Sequence, residues 1–96
     1  MKVGTEFHID LPSNRTTGYR WQPEYDSTFV LLIGVNYDQI SKRAGAGGTE
    51  SFTFKSLRKG RTIIRMRYGR PWENKTVKEH TYRLVIIEFD QNLTTS

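Results

Sequence analysis

The sequence predicts an all-β domain: an antiparallel sandwich or barrel of about six to seven short strands. Three observations carry that prediction. Helical periodicity is nearly absent, apolar residues recur at every second position in segment after segment, and turn signals break these segments at short intervals.

The elements follow in order. Strand 3–11 alternates Phe7, Ile9 and Leu11 inward against polar neighbours. Strand 18–23 places Tyr19 and Trp21 on one face. Residues 28–35 are apolar enough to be ambiguous between helix and strand. Thr28, Phe29, Val30, Ile33 and Val35 are nevertheless strand formers, which gives a strand over 28–38. Strand 49–57 turns Phe52 and Phe54 inward, and strand 61–68 does so with Ile64, Met66 and Tyr68. The last strand, 80–90, contains Leu84-Val85-Ile86-Ile87, apolar on both faces as for a strand in mid-sheet or under a loop; Leu84 and Ile86 are assigned to the core. The tail 91–96 is expected to fray.

At 96 residues the chain has room for one domain, 1–96. It has no cysteine, so disulfide scaffolds, thiolate zinc sites and cysteine nucleophiles are excluded. Fifteen Lys and Arg against ten Asp and Glu give a net charge of +5, which favours an acidic partner surface without choosing one. No apolar run is long enough to span a membrane. Met1-Lys2 leads directly into alternating residues, with no leader pattern. These features suit a cytoplasmic or endolysosomal location, or a periplasmic or secreted one if a leader was removed. Neither His8 nor His80 has a neighbouring Ser or carboxylate at catalytic spacing, and no metal-ligand spacing occurs. No enzyme, metal or cofactor is expected.

Two connections read as short: Pro23–Ser27, and Arg58-Lys59-Gly60 as a hairpin turn with Gly60 at positive φ. The other three are long or unusual. If consecutive strands run up and down, those three emerge at one end, the usual place for binding loops on a rigid sandwich. Loop one holds Asn14-Arg15-Thr16-Thr17-Gly18, with an Asx-turn former and a conformationally free glycine. Loop three holds Gly45-Ala46-Gly47-Gly48, without the Lys-Ser/Thr of a phosphate loop. Such a run reads either as a flexible linker or as backbone laid flat against a partner. Loop five holds Arg70-Pro71-Trp72, which stiffens two residue types enriched at interface hot spots.

Together these three motifs resemble the chagasin family of cysteine-protease inhibitors, whose members show Asn-Pro-Thr-Thr-Gly, Gly-x-Gly-Gly and Arg-Pro-Trp/Phe loops in that order. The resemblance extends over roughly Val3 to Phe89 and includes Leu11-Pro12-Ser13, Tyr19-Arg20-Trp21 and Thr49-Glu50. It implies an immunoglobulin-like β-sandwich, expected to be monomeric, that inhibits papain-like proteases of the cathepsin L or B type reversibly. Its three loops would form a wedge in the active-site cleft. By the same resemblance, loop one lies over the catalytic Cys–His centre with Thr16 closest. The glycine loop follows the non-primed side, and Arg70 and Trp72 pack on the primed side.

The chain departs from the family pattern in two ways. Arg15 stands where the family usually has Pro, which loosens loop one and adds a charge. The family also usually has a β-segment before the strand at 3–11, for which this sequence leaves almost no room. In addition, Asn14-Arg15-Thr16, Asn74-Lys75-Thr76 and Asn92-Leu93-Thr94 are glycosylation sequons. A glycan on Asn14 would obstruct the wedge, so maturation outside a glycosylating pathway is expected.

Two rival readings differ in class. Lys55 to Arg70 holds seven basic residues and no acidic one, with Arg65 and Arg67 on one outward face and Tyr68 and Trp72 nearby. That pattern could serve nucleic acid, whose binding would weaken steeply with salt. A generic immunoglobulin-like adhesion module would leave every protease unaffected.

Overall fold

The computed structural model describes residues 1–14, 17–39 and 47–88. Arg15, Thr16, Gly45, Ala46 and the tail 91–96 lie outside the described residues.

Among the described residues six strands form: β1 (Glu6–Ser13), β2 (Arg20–Tyr25), β3 (Val30–Gln39), β4 (Gly48–Ser56), β5 (Gly60–Gly69) and β6 (Lys78–Ile86). They pair into two antiparallel sheets, β1-β4-β3 and β2-β5-β6. This is the all-β sandwich the sequence predicts, consistent with the immunoglobulin-like arrangement that the resemblance implies. Alternation dictates the core. Ile9, Leu11, Phe52 and Phe54 come from one sheet and Trp21, Ile64, Met66 and Ile86 from the other, with Val30 completely buried beside them. Phe54 stacks on its cross-strand partner Phe7 and meets Tyr25 of the facing sheet edge-on at 5.3 Å. Contacts of this kind hold the sheets together without any cross-link.

Four expectations change. The turn at 58–60 is not a hairpin. β4 and β5 belong to different sheets, so the chain crosses the sandwich there. Gly60 does take a positive φ (142°), and Phe29 occupies the space a side chain would need. Pro23 is not in a connection but inside β2, opposite Met66. β2 is a sheet edge, where a residue without an N–H is tolerated. The turn that follows runs from Asp26 to Phe29: the Asp26 carboxylate accepts from the Thr28 amide at 2.9 Å.

The first and last strands change too. The first begins at Glu6, not at residue 3. Met1 to Val3 instead run beside the end of β6, with Ile87 donating to Met1 and Val3 donating to Ile87 at 2.8 and 2.9 Å. Gly4, at φ 87°, turns the chain back towards β1. The last strand ends at Ile86 and lies at a sheet edge rather than in mid-sheet. Leu84 is half-buried and Ile86 buried, as assigned, while Val85 is 56% exposed.

The ambiguous stretch 28–35 contains a β-bulge. The register of β3 on β4 shifts between Leu32 and Gly34, leaving Ile33 as the extra residue. Val30 and Leu32 face the core before the shift; after it, Val35 and Tyr37 pair with the inward residues Phe52 and Glu50. One inserted residue explains why no single period fits this segment.

Candidate functional site

The strand registers bring the three loops to one end. Gly48 opens β4 between Ser13, the last residue of β1, and Gln39, the last of β3. Loops one and three therefore leave the first sheet at the same end of its strands. In the second sheet Arg20 opens β2 opposite Gly69, and Tyr68 faces Lys78 at the start of β6. Loop five thus emerges where loop one re-enters.

Loop one is folded on itself. The Thr17 amide and hydroxyl both donate to the Asn14 carbonyl, at 3.3 and 2.8 Å, and the Asn14 amide points to the Tyr68 hydroxyl at 3.5 Å. Gly18 has φ 81°, and a Cβ built there would lie 2.6 Å from Cη2 of the Trp72 indole. Glycine is favoured by the backbone conformation, and a side chain there would push the exposed Trp72 indole aside.

Below the loops the sandwich is plugged by a ring column. The Arg70 guanidinium lies 4.6 Å over the Tyr19 ring, Tyr19 stacks on Tyr68 at 5.4 Å, and Trp21 contacts Tyr68 at 4.7 Å and His80 at 5.4 Å. Such contacts contribute roughly 0.5–1.5 kcal/mol each beyond area burial. The Trp21 indole N–H donates to Pro12 of the opposite sheet at 2.9 Å, and its amide points to the buried Glu50 carboxylate at 3.4 Å. Trp21 thereby ties the base of loop one to both sheets.

Among the glycines of loop three, Gly48 is buried within β4. A side chain there would meet the Asp38 carbonyl and the Tyr37 ring. Its need for glycine arises inside the sheet. Gly47 is half-buried, and a Cβ there would make only an ordinary contact with the Ser13 carbonyl.

Loop five is a turn in which the Glu73 amide donates to the Arg70 carbonyl at 3.0 Å. Pro71 is exposed, and Trp72, at 71% exposure, presents most of its indole to solvent while its outer ring edge rests on Gly18. Arg70 is half-buried and reaches across to donate to the Thr17 carbonyl at 3.3 Å and to Glu73 at 3.0 Å. Sequence reasoning read Tyr68 as an inward or base-stacking residue and Glu50 only as part of the resemblance, gave Glu73 no role, and placed Tyr19 in the core. The one available signal was the spacing of three between Arg70 and Glu73, which suits a turn.

The basic run is partly neutralised. On the outer face of the second sheet Arg65 and Arg67 lie between Glu24 and Glu79, at 2.7 to 3.8 Å from one or the other. Each exposed pair is worth at most about 1 kcal/mol. Together they replace the unbroken cationic stripe suggested by the sequence with a mixed-charge face.

Residues 1–86 match the model of the chagasin family peptidase inhibitor I42. The chain is 34% identical over 76 residues to chagasin of Trypanosoma cruzi, an alignment covering 73% of this chain and 69% of that protein. It is 34% identical over 87 residues to amoebiasin-2 of Entamoeba histolytica, covering 81% and 68% respectively. Among solved structures it resembles the cysteine protease inhibitor EhICP2 of Entamoeba histolytica, with a TM-score of 0.81, 27% identity, and coverage of 91% of this chain and 83% of that one. The solution structure of amebosin shares the fold, with a TM-score of 0.67 at 24% identity and coverage of 93% and 85%.

Proposed function

The chain belongs to the chagasin family of peptidase inhibitors, and from that premise we propose that its three loops close the active-site cleft of a papain-like cysteine protease as one wedge. It is a reversible inhibitor of papain-like cysteine proteases and not an enzyme. The observation that supports the wedge is the meeting of loops one, three and five at one end of a rigid sandwich, with Trp72 of loop five resting on Gly18 of loop one.

In this reading loop one, with Asn14, Arg15, Thr16, Thr17 and Gly18, lies over the catalytic Cys–His centre. Both its ends are held by strands, so it offers the nucleophile no extended scissile bond. The Gly45–Gly48 backbone follows the non-primed side, where main-chain groups can pair with those of the enzyme. Pro71 presents the Trp72 indole to the primed side, and because Pro restricts the loop, little entropy is lost on binding. The target is of the cathepsin L or B type, bound by one copy of the chain. An unglycosylated Asn14 is needed for access.

Titration of active papain or cathepsin L with this protein tests the reading. Stoichiometric, reversible loss of activity with an uncleaved inhibitor is expected. No inhibition at micromolar protein overturns it.

A further inference from the structure

Arg70 belongs to a motif that the family resemblance assigns to enzyme contact, yet its guanidinium is already committed within the chain. Nε donates to the Thr17 carbonyl at 3.3 Å, Nη1 donates to Glu73 at 3.0 Å, and the guanidinium carbon lies over the Tyr19 ring at 4.6 Å. Thr17 and Tyr19 flank Gly18, the residue on which the Trp72 indole rests. Thr17 and Arg70 are 53 residues apart and belong to loops that connect different strands. We infer that Arg70, aimed by Glu73 and backed by Tyr19, is a positioning residue that braces loop one from loop five and sets the shape of the wedge before the enzyme arrives.

The chemistry requires arginine. A planar fork can donate in two directions while its face stacks on an aromatic ring; an ammonium is a point donor and cannot do all three. The brace acts where loop one is loosest by composition. Arg15 stands at the position of the family's proline, so one stiffening device is missing there, and a long-range hydrogen bond at Thr17 compensates for it. Ordering the loop in the free protein removes that cost from the binding step. Glu73, which lies outside all three motifs, thereby becomes part of the binding machinery without touching the enzyme.

The inference rests on the inhibitor reading for its affinity arm and on the free protein for its structural arm. The full chain is compared with Arg70→Lys, Arg70→Ala, Glu73→Gln, Tyr19→Leu and the Arg70→Ala/Tyr19→Leu double variant. Papain affinity is measured over a range of salt, backbone amide NMR and hydrogen exchange are recorded on the free proteins, and urea unfolding is followed for each. A brace predicts that Arg70→Lys loses on the order of tenfold in affinity although the charge is kept. Glu73→Gln, which keeps an acceptor, loses less than Arg70→Ala. The double variant loses no more than the worse single one. The salt dependence of association stays that of the parent, and the Gly18 and Tyr19 amides shift or exchange faster in the free Arg70 and Glu73 variants while the urea midpoint of those variants holds.

Arg70→Lys binding as tightly as the parent overturns the inference. So does a loss of affinity in Arg70→Ala with unmoved Gly18 and Tyr19 amides and a flattened salt dependence, which would mark Arg70 as a direct enzyme contact. If the parent chain does not inhibit papain, the inhibitor reading falls and the amide comparison alone decides the brace.

Discussion

The two ends of the sandwich are closed by different means. At the end away from the loops the backbone does the work: Val3 to Ile87, Ile87 to Met1, Gly4 and Thr5 with Ser56, and Leu57 to Phe29 are all main-chain hydrogen bonds of 2.7 to 2.9 Å. The Ser56 hydroxyl adds to them, donating to Lys2 at 2.7 Å and accepting from the Thr5 amide at 3.0 Å. At the loop end the connections between sheets and loops depend on particular side chains, namely Trp21, Tyr68, Arg70 and Trp72. Main-chain bonds survive most substitutions, whereas side-chain bonds do not. One end thus resists sequence change, and the other can be reshaped a residue at a time around a target.

Substitutions at the two ends test that contrast. The largest effect is expected at Trp21, the side chain joining loop one to both sheets. Trp21→Ala should cost about 3–5 kcal/mol of stability in urea unfolding, and a loss under about 1 kcal/mol would show that the loop end does not hang on this residue. Trp72→Ala should next weaken protease inhibition by about 2 kcal/mol or more and leave the urea midpoint in place, because most of its indole is exposed. A shift in stability alone would mean that Trp72 is only a lid on Gly18.

At the opposite end, Ser56→Ala removes the hydroxyl's part-buried hydrogen bonds to Thr5 and Lys2, whose amide and carbonyl still meet each other at 3.2 Å. It should cost about 1–2 kcal/mol of stability with an unchanged inhibition constant; a parallel loss of inhibition would show that the ends are coupled. The smallest change is expected from Arg65→Ala on the outer face, within about 1 kcal/mol in unfolding.

The sequence made the convergence of the loops legible before any pairing was known. Each strand reverses direction whether or not it changes sheet, so alternation alone places loops one, three and five together. It could not show which strands share a sheet. Arg58-Lys59-Gly60 has the composition of a hairpin, and only the burial of both β4 and β5 against opposite layers makes it a crossing. The bulge at Ile33 was hidden because Leu31-Leu32-Ile33 has no polar residue to mark the change of parity. Tyr19 alternates like a core residue and is only half-buried, since it sits at the rim where the column meets Arg70. The brace between Arg70 and Thr17 depends on the meeting of two loops from distant parts of the chain, which no local pattern encodes. The candidate residues Arg15, Thr16, Gly45 and Ala46 were read from motifs alone.

The extra residue at Ile33 bears on the chain's behaviour in crowded solution. β3 is a ten-residue, largely apolar strand at the edge of its sheet, an open template for a strand from another copy. The shift of register divides that template in two, so an incoming strand matched to Val30–Leu32 falls out of step beyond Gly34. An inhibitor that acts one-for-one must accumulate to the level of its target. An interrupted edge lets it do so with less risk that the copies zip together into aggregates.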